Sequence, residues 1–356
     1  MGIGSGFVYD GFAVTSIDYR KAPTPERPNR ITFAEYTWGN EDKAGFSDDE
    51  LKKYNEEYED AATFLKNVKF VSGKDKDGKR MFEADKLTIE EAHKEFKVKY
   101  GDDVKPLFAL HGFNNEPGVT LDVCSDAQES FDEGGRKTAI IPVIWPCYGG
   151  FWNYGKDKRR NVPVVAKEMG MLLKDTLAIA NTFKDKNLLC HSMGNRVFRM
   201  VANAKVKFDN IFLVAADIRH DIFLKKYIDR ADNEDSQEMQ GMRIFRMLNT
   251  DAEGNPKGKI YCLYNGYDYA LGCSSYIGCN WMNRLGQVGI GAYDSWIPCK
   301  WRFNERLIHP DIIGHTENFN VSPHLPCCCG KAHGYQWMKF AIDFYKSKIE
   351  QRSKTE

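Results

Sequence analysis

A sheet of mostly parallel strands with helices on both faces is the fold class this sequence predicts, and three observations predict it. Short apolar runs at Leu107–Leu110, Ala139–Trp145, Leu188–Cys190, Ile211–Ala216 and Ile260–Tyr264 have the near-continuous hydrophobicity of strands covered on both sides. Segments of helical spacing separate them, which implies parallel strands joined by crossovers. The stretch Lys186–Phe198 reads as strand, sharp turn and helix with Ser192 at the turn, the apolar pattern resuming at Val197, Met200 and Val201. In such a sheet, ligands bind at the carboxyl ends of the strands.

The 356 residues suffice for a large buried core. One large domain is expected: residues 1–104 as strands, hairpins and helices packed on a core spanning 105–350, with lid-like aromatic insertions at 147–160 and 273–314. A hydrophobic share of 42% and an aromatic share of 13% place the chain among globular proteins. Fifty basic residues balance fifty acidic ones, so no overall field recruits nucleic acid or an anionic membrane. No apolar run is long enough for a transmembrane helix. The start, Met1–Phe7, lacks a basic segment followed by a long apolar stretch, and Gly6 stands where a myristoylation signal wants Ser or Thr. An intracellular, cytoplasmic protein with its ten cysteines reduced is therefore the expectation.

Along the chain, Phe7–Tyr19 and Arg30–Tyr36 are rich in aromatic and β-branched residues and read as strands, with Pro23, Pro25 and Pro28 between them. Ser47–Glu50 and Thr88–Glu91 open charged helices with capping boxes. Asp75–Gly78 fails as a calcium loop, because Ala84 stands where the bidentate glutamate belongs. It reads instead as a hairpin turn between Val68–Val71 and Arg80–Phe82. Val165, Met169, Leu172, Leu173 and Leu177 mark a helix, capped by Asn161 with Pro163 in its first turn.

The chemistry centres on Ser192. A serine hydroxyl is a weak nucleophile unless it is held exposed beside a base, with donors placed for the developing oxyanion. In the G-x-S-x-G elbow the positions two before and two after the serine are small. Here they are Cys190 and Gly194, so one glycine is replaced by a small thiol. The competing reading is an ordinary helix cap. Upstream, the strand Leu107–Leu110 ends in His111-Gly112-Phe113-Asn114-Asn115, where a glycine allows close backbone approach. The backbone amides of Phe113 and Met193 are the expected oxyanion donors.

On these residues the chain resembles the α/β-hydrolases. It is most similar to a poorly characterised family with an H-G-[FY]-N oxyanion strand and an H-S-M-G elbow. The matching stretches are Leu107–Asn115, Ile144–Pro146 with the loop to Arg160, Leu188–Arg196, Phe212–Phe223 and Tyr261–Leu271, roughly the central half of the chain. The resemblance implies the α/β-hydrolase fold and a nucleophile, acid, histidine order along the chain. Both partners then follow Ser192. Two acids end strands, Asp217 and Asp268. Asp268 lies after the strand where this fold's acid usually stands and is placed first, with Asp217 the alternative.

Four histidines come late enough to be the base: His309, His315, His324 and His333. Glu317–Ser322 can form a last strand, and Trp337, Phe340, Ala341 and Phe344 a last helix. His333 lies between them and is placed first; His315, in Gly314-His315, is second. A third reading has His324, Cys327, Cys329 and His333 bind zinc, but three adjacent cysteines are an unusual ligand pattern, so no metal and no cofactor is expected.

His111, Asn114, Trp145, Tyr148, Trp152 and His191 are the candidate substrate-binding residues, in loops whose aromatic walls suit an acyl or aryl group. The expectation is a serine hydrolase cleaving an ester of a small molecule through Ser192, His333 and Asp268, with an acyl-enzyme intermediate. Acyltransferase or thioesterase chemistry would use the same residues. A non-catalytic binding or scaffold module is the competitor from another class, and Cys190 gives it weight. Oligomeric state is not legible.

Overall fold

A computed structural model describes residues 8–16, 31–39, 69–74, 80–83, 89–113, 115, 117–135, 137–144, 183, 185–201, 206–229, 240–277, 284–293, 302–325 and 333–352. The elements in chain order are β1 (Val8–Ser16), β2 (Ile31–Gly39), β3 (Lys69–Lys74), β4 (Arg80–Glu83), α1 (Ile89–Tyr100), β5 (Lys105–Leu110), α2 (Pro117–Asp132), β6 (Thr138–Ile144) and β7 (Asn187–His191). They continue with α3 (Gly194–Val201), β8 (Asn210–Val214), α4 (Lys225–Ile228), α5 (Gln240–Arg246), β9 (Lys259–Tyr264) and α6 (Tyr269–Ile277). The last are α7 (Leu285–Val288), β10 (Ala292–Tyr293), β11 (Arg302–Phe303), β12 (Thr316–Asn320) and α8 (Lys339–Arg352).

Eight strands form the main sheet in the order β12-β9-β8-β7-β5-β6-β1-β2, all parallel to their neighbours except β2, which runs antiparallel to β1 at one edge. β1 joins through Val14 and Thr15, opposite Val143 and Ile144 of β6. The N-terminal strands thus extend the sheet. β3 and β4 pair separately as an antiparallel hairpin, the arrangement expected of Val68–Phe82; the turn itself lies outside the described residues, as does the expected helix over Val165–Leu177.

Period-two alternation sends neighbouring side chains of each central strand to opposite cores. Phe108, Leu110, Leu188, Cys190, Ile211, Leu213, Ile260 and Cys262 enter one, with Phe96 of α1, Val197 and Phe198 of α3 and Ile244 of α5. Leu107, Ala109, Leu189, Phe212, Val214, Tyr261 and Leu263 enter the other, against Cys124, Ala127 and Phe131 of α2 and Ala341, Ile342, Tyr345 and Ile349 of α8. Every residue of β7 and β8 is buried. β12, at the far edge, reads Thr-Glu-Asn-Phe-Asn and stays half wet, as an edge strand with one open side can. No helix among the described residues is long and apolar enough to cross a membrane.

Candidate active site

β7 is central in the sheet and ends at His191, so the next residue emerges at the carboxyl edge, where the parallel strands open a crevice. Ser192 takes φ 50°, a left-handed conformation that costs a non-glycine residue about 1–2 kcal/mol. The turn is held from both sides. Ser192 N donates to the Val214 carbonyl at 2.9 Å, and the Ser192 carbonyl accepts from Asp217 N at 3.2 Å and Asn195 N at 3.1 Å. The buried Asn195 side chain also donates to the Cys190 carbonyl at 2.8 Å.

The need for small residues falls on two glycines. A Cβ at Gly194 would stand 2.5 Å from the His111 carbonyl oxygen, and one at Gly112 would stand 2.8 Å from the Ser192 Cβ. Cys190 is accommodated because its side chain is fully buried in the core that also holds Met193 and Val197. Burial pushes its thiol well above the ordinary range, so it is an inert core residue.

Ser192, His333 and Asp268 come together. The Ser192 hydroxyl donates to His333 Nε2 at 2.7 Å, and His333 Nδ1 donates to Asp268 Oδ2 at 2.8 Å. Asp268 follows β9 and caps α6: its other oxygen, Oδ1, accepts from Leu271 N at 3.0 Å. One carboxylate therefore both starts a helix and fixes the imidazole tautomer. With both ring nitrogens of His333 engaged, neither is free for a metal. His324 stacks on Phe319 and Phe340, and Cys327 and Cys329 lie outside the described residues. No cluster of potential metal ligands occurs among the described residues.

The alternatives lie elsewhere. Asp217 is fully buried and accepts from Arg196 Nε at 2.8 Å, Arg196 Nη2 at 3.0 Å and the Ser274 hydroxyl at 2.6 Å, with Arg284 Nε at 3.2 Å. Burial raises its carboxyl, but the two guanidiniums and the hydroxyl more than offset that and hold it well below the usual carboxylate range. It is a structural anion that ties the exit of β8 to α3 and to the start of α7. His315 precedes β12, at the amino end of a parallel strand, where its Nδ1 lies 3.3 Å from the Gly258 carbonyl oxygen. That is the opposite edge of the sheet from Ser192.

Of the candidate substrate-binding residues, His111 follows β5 and His191 ends β7, and both are buried beside the serine. Asn114, Trp145, Tyr148 and Trp152 lie outside the described residues. His191 Nε2 donates to the His333 carbonyl at 3.0 Å. Burial, then the nearby His333, pushes His191 down to about 3, so it is neutral at physiological pH.

Sequence reasoning missed Tyr335, the buried anchor of the histidine loop. Its hydroxyl accepts from Ala215 N at 3.0 Å and donates to the Leu263 carbonyl at 2.9 Å, so the loop two residues beyond His333 is fastened across the ends of β8 and β9. An aromatic residue before an amphipathic helix reads as core. The signal that could have separated it is its phenol, which must find partners when buried.

A search of curated proteins finds no match. Among solved structures, the chain is similar to a bifunctional GH43-CE protein of Bacteroides eggerthii at 11% identity and a TM-score of 0.30, over 69% of this chain. It spans 34% of that structure's length, and a likeness so distant carries no argument. The family model described as "Alpha/beta hydrolase of unknown function (DUF900)" matches residues 89–295, more than half of the chain and including both the elbow and the strand before it. With its parallel sheet, its serine elbow and this match, the chain belongs to the DUF900 family of α/β-hydrolases, whose function is unknown.

Proposed function

We propose that the protein is a serine hydrolase that cleaves an ester of a small molecule. The observation that carries this reading is the continuous line of hydrogen bonds from Ser192 through His333 to Asp268, at 2.7 and 2.8 Å. As Ser192 Oγ forms a bond to the acyl carbon, its proton passes to His333 Nε2, and Asp268 stabilises the imidazolium. The oxyanion is held by the backbone amides of Phe113 and Met193. No backbone carbonyl among the described residues takes the Met193 amide, which leaves that donor available. The tetrahedral intermediate then breaks its bond to the alcohol oxygen, which leaves with the proton from His333. Water attacks the acyl-enzyme by the same route in reverse roles and releases the acid. A thiol ester would be cleaved, or an alcohol acylated, by the same groups.

The test is labelling with a fluorophosphonate probe together with turnover of 4-nitrophenyl esters of increasing acyl length. Ser192→Ala should abolish labelling and lower kcat by roughly 10³-fold or more with the fold intact, since losing one hydroxyl from the turn removes no apolar core volume. Near-normal turnover by the alanine variant removes Ser192 from the mechanism. Absence of labelling in the folded native protein favours the scaffold reading.

A further inference from the structure

Beside the serine, on the α2 side of the sheet, lies a cleft of about 60 Å³. That is several times the ~10–15 Å³ a single water needs, and small enough to admit only a short group. Its floor is Ala109 and Leu189, and its walls come from α2 through Val123 and Cys124 and from Trp337 behind the histidine loop. Three further lining residues, Thr120, His191 and Gln336, each carry a buried polar atom with no hydrogen-bond partner among the described residues: Thr120 Oγ1, His191 Nδ1 and Gln336 Oε1. Thr120 and His191 are only 5% and 6% exposed.

A buried polar atom left unpaired costs about 1–3 kcal/mol, and native proteins rarely carry several together without use. Here three belong to residues that line one cleft. Their chemistry is also biased. Because His191 Nε2 donates its proton to the His333 carbonyl, Nδ1 is left as an acceptor. Gln336 offers its carbonyl oxygen, and Thr120 a hydroxyl that can accept or donate. A cleft with apolar walls and acceptors in its lining selects a short group that brings its own O–H or N–H.

We propose that this cleft is a subsite for a short, hydrogen-bond-donating limb of the substrate, an aliphatic group bearing a hydroxyl, held by His191, Thr120 and Gln336. The assignment rests on the serine hydrolase reading for its place in a reaction, but binding does not require turnover. His191 links the two, since it lines the cleft and holds the His333 loop through Nε2. A limb seated there is one hydrogen bond removed from the base.

The experiment compares ligands matched in shape that differ by one hydroxyl. Saturation-transfer NMR on the native protein with 3-hydroxybutanamide and 3-methylbutanamide reads binding without hydrolysis. The hydroxylated amide should bind about tenfold more tightly, the factor one well-placed hydrogen bond supplies. The preference should vanish in the Thr120→Val, Gln336→Leu double variant, which keeps the cleft's volume and removes two of its polar groups. The 4-nitrophenyl esters of the same two acids should show the same ratio in kcat/KM. Equal binding of the pair, a preference that survives the double variant, or no binding by either ligand because the cleft holds only water overturns the subsite. A binding preference without ester turnover or probe labelling would retain the subsite and overturn the hydrolase reading instead.

Discussion

His191 holds the carbonyl of His333 through one ring nitrogen, 3.0 Å away, although the residues are 142 positions apart and end different parts of the fold. That hydrogen bond favours a charged His191, but burial, then the neighbouring His333 and His111, outweigh it and lower the His191 pKa to about 3. In the unfolded chain it titrates near 6.5. The unfolded state therefore binds the extra proton between those values, and stability is fully present above about pH 6.5 and lost as pH falls toward 3. The slope from this residue is at most about 1.4 kcal/mol per pH unit. His191→Gln, which retains a donor for the carbonyl but does not titrate, should flatten the dependence of urea-unfolding free energy on pH between 6.5 and 4. An unchanged slope would show that His191 is already solvated or charged in the folded protein.

Asp268 and Asp217 should separate by what each loses. Asp268→Asn retains a good cap for α6 but removes the charge that stabilises the imidazolium, so kcat should drop by about 10³–10⁴-fold with little change in Tm. Asp217→Asn should leave two guanidiniums, Arg196 and Arg284, without their anion and cost about 3 kcal/mol or more in stability. Its carboxyl is depressed in the fold, so this stabilisation is present above the unfolded value near 3.8 and is lost as pH falls through the lower folded value. Thermal unfolding and kcat measured on both variants check the pair; a larger kcat loss in Asp217→Asn at equal folded fraction would reverse the roles.

Gly112→Ala tests the approach of the oxyanion strand to the elbow. The new methyl would stand 2.8 Å from the Ser192 Cβ and 3.0 Å from His191 Nδ1, so one of the three must move. Overpacking of this kind costs about 1–3 kcal/mol, and displacing a reacting atom by 1 Å costs about 10²-fold in rate. The variant should fold with a lower Tm and label with fluorophosphonate about 10²-fold more slowly. Labelling at the native rate would mean that the strand and elbow can part without consequence for the serine.

The sequence by itself determined the frame. Apolar runs located β5 through β9, because a strand buried on both faces must be apolar throughout and the signal is local. Ser192 was legible from its turn, and His333 from lying between a last strand and a last helix. The acid was placed by chain order alone, Asp268 first and Asp217 second. Asp217 and Asp268 both follow buried strands; what sets them apart in space is that Arg196 and Arg284, distant in sequence, close on Asp217. The same holds for Cys190, where the sequence marked a missing glycine and the tertiary structure transferred that steric demand to Gly112, just past the end of another strand. His191, Tyr335 and the three polar atoms of the cleft acquire their roles only when β5, β7, α2 and the histidine loop meet. Hydrophobic periodicity is a property of neighbouring residues, whereas charge compensation, close approach and hydrogen-bond satisfaction depend on groups that folding alone brings within a few ångströms.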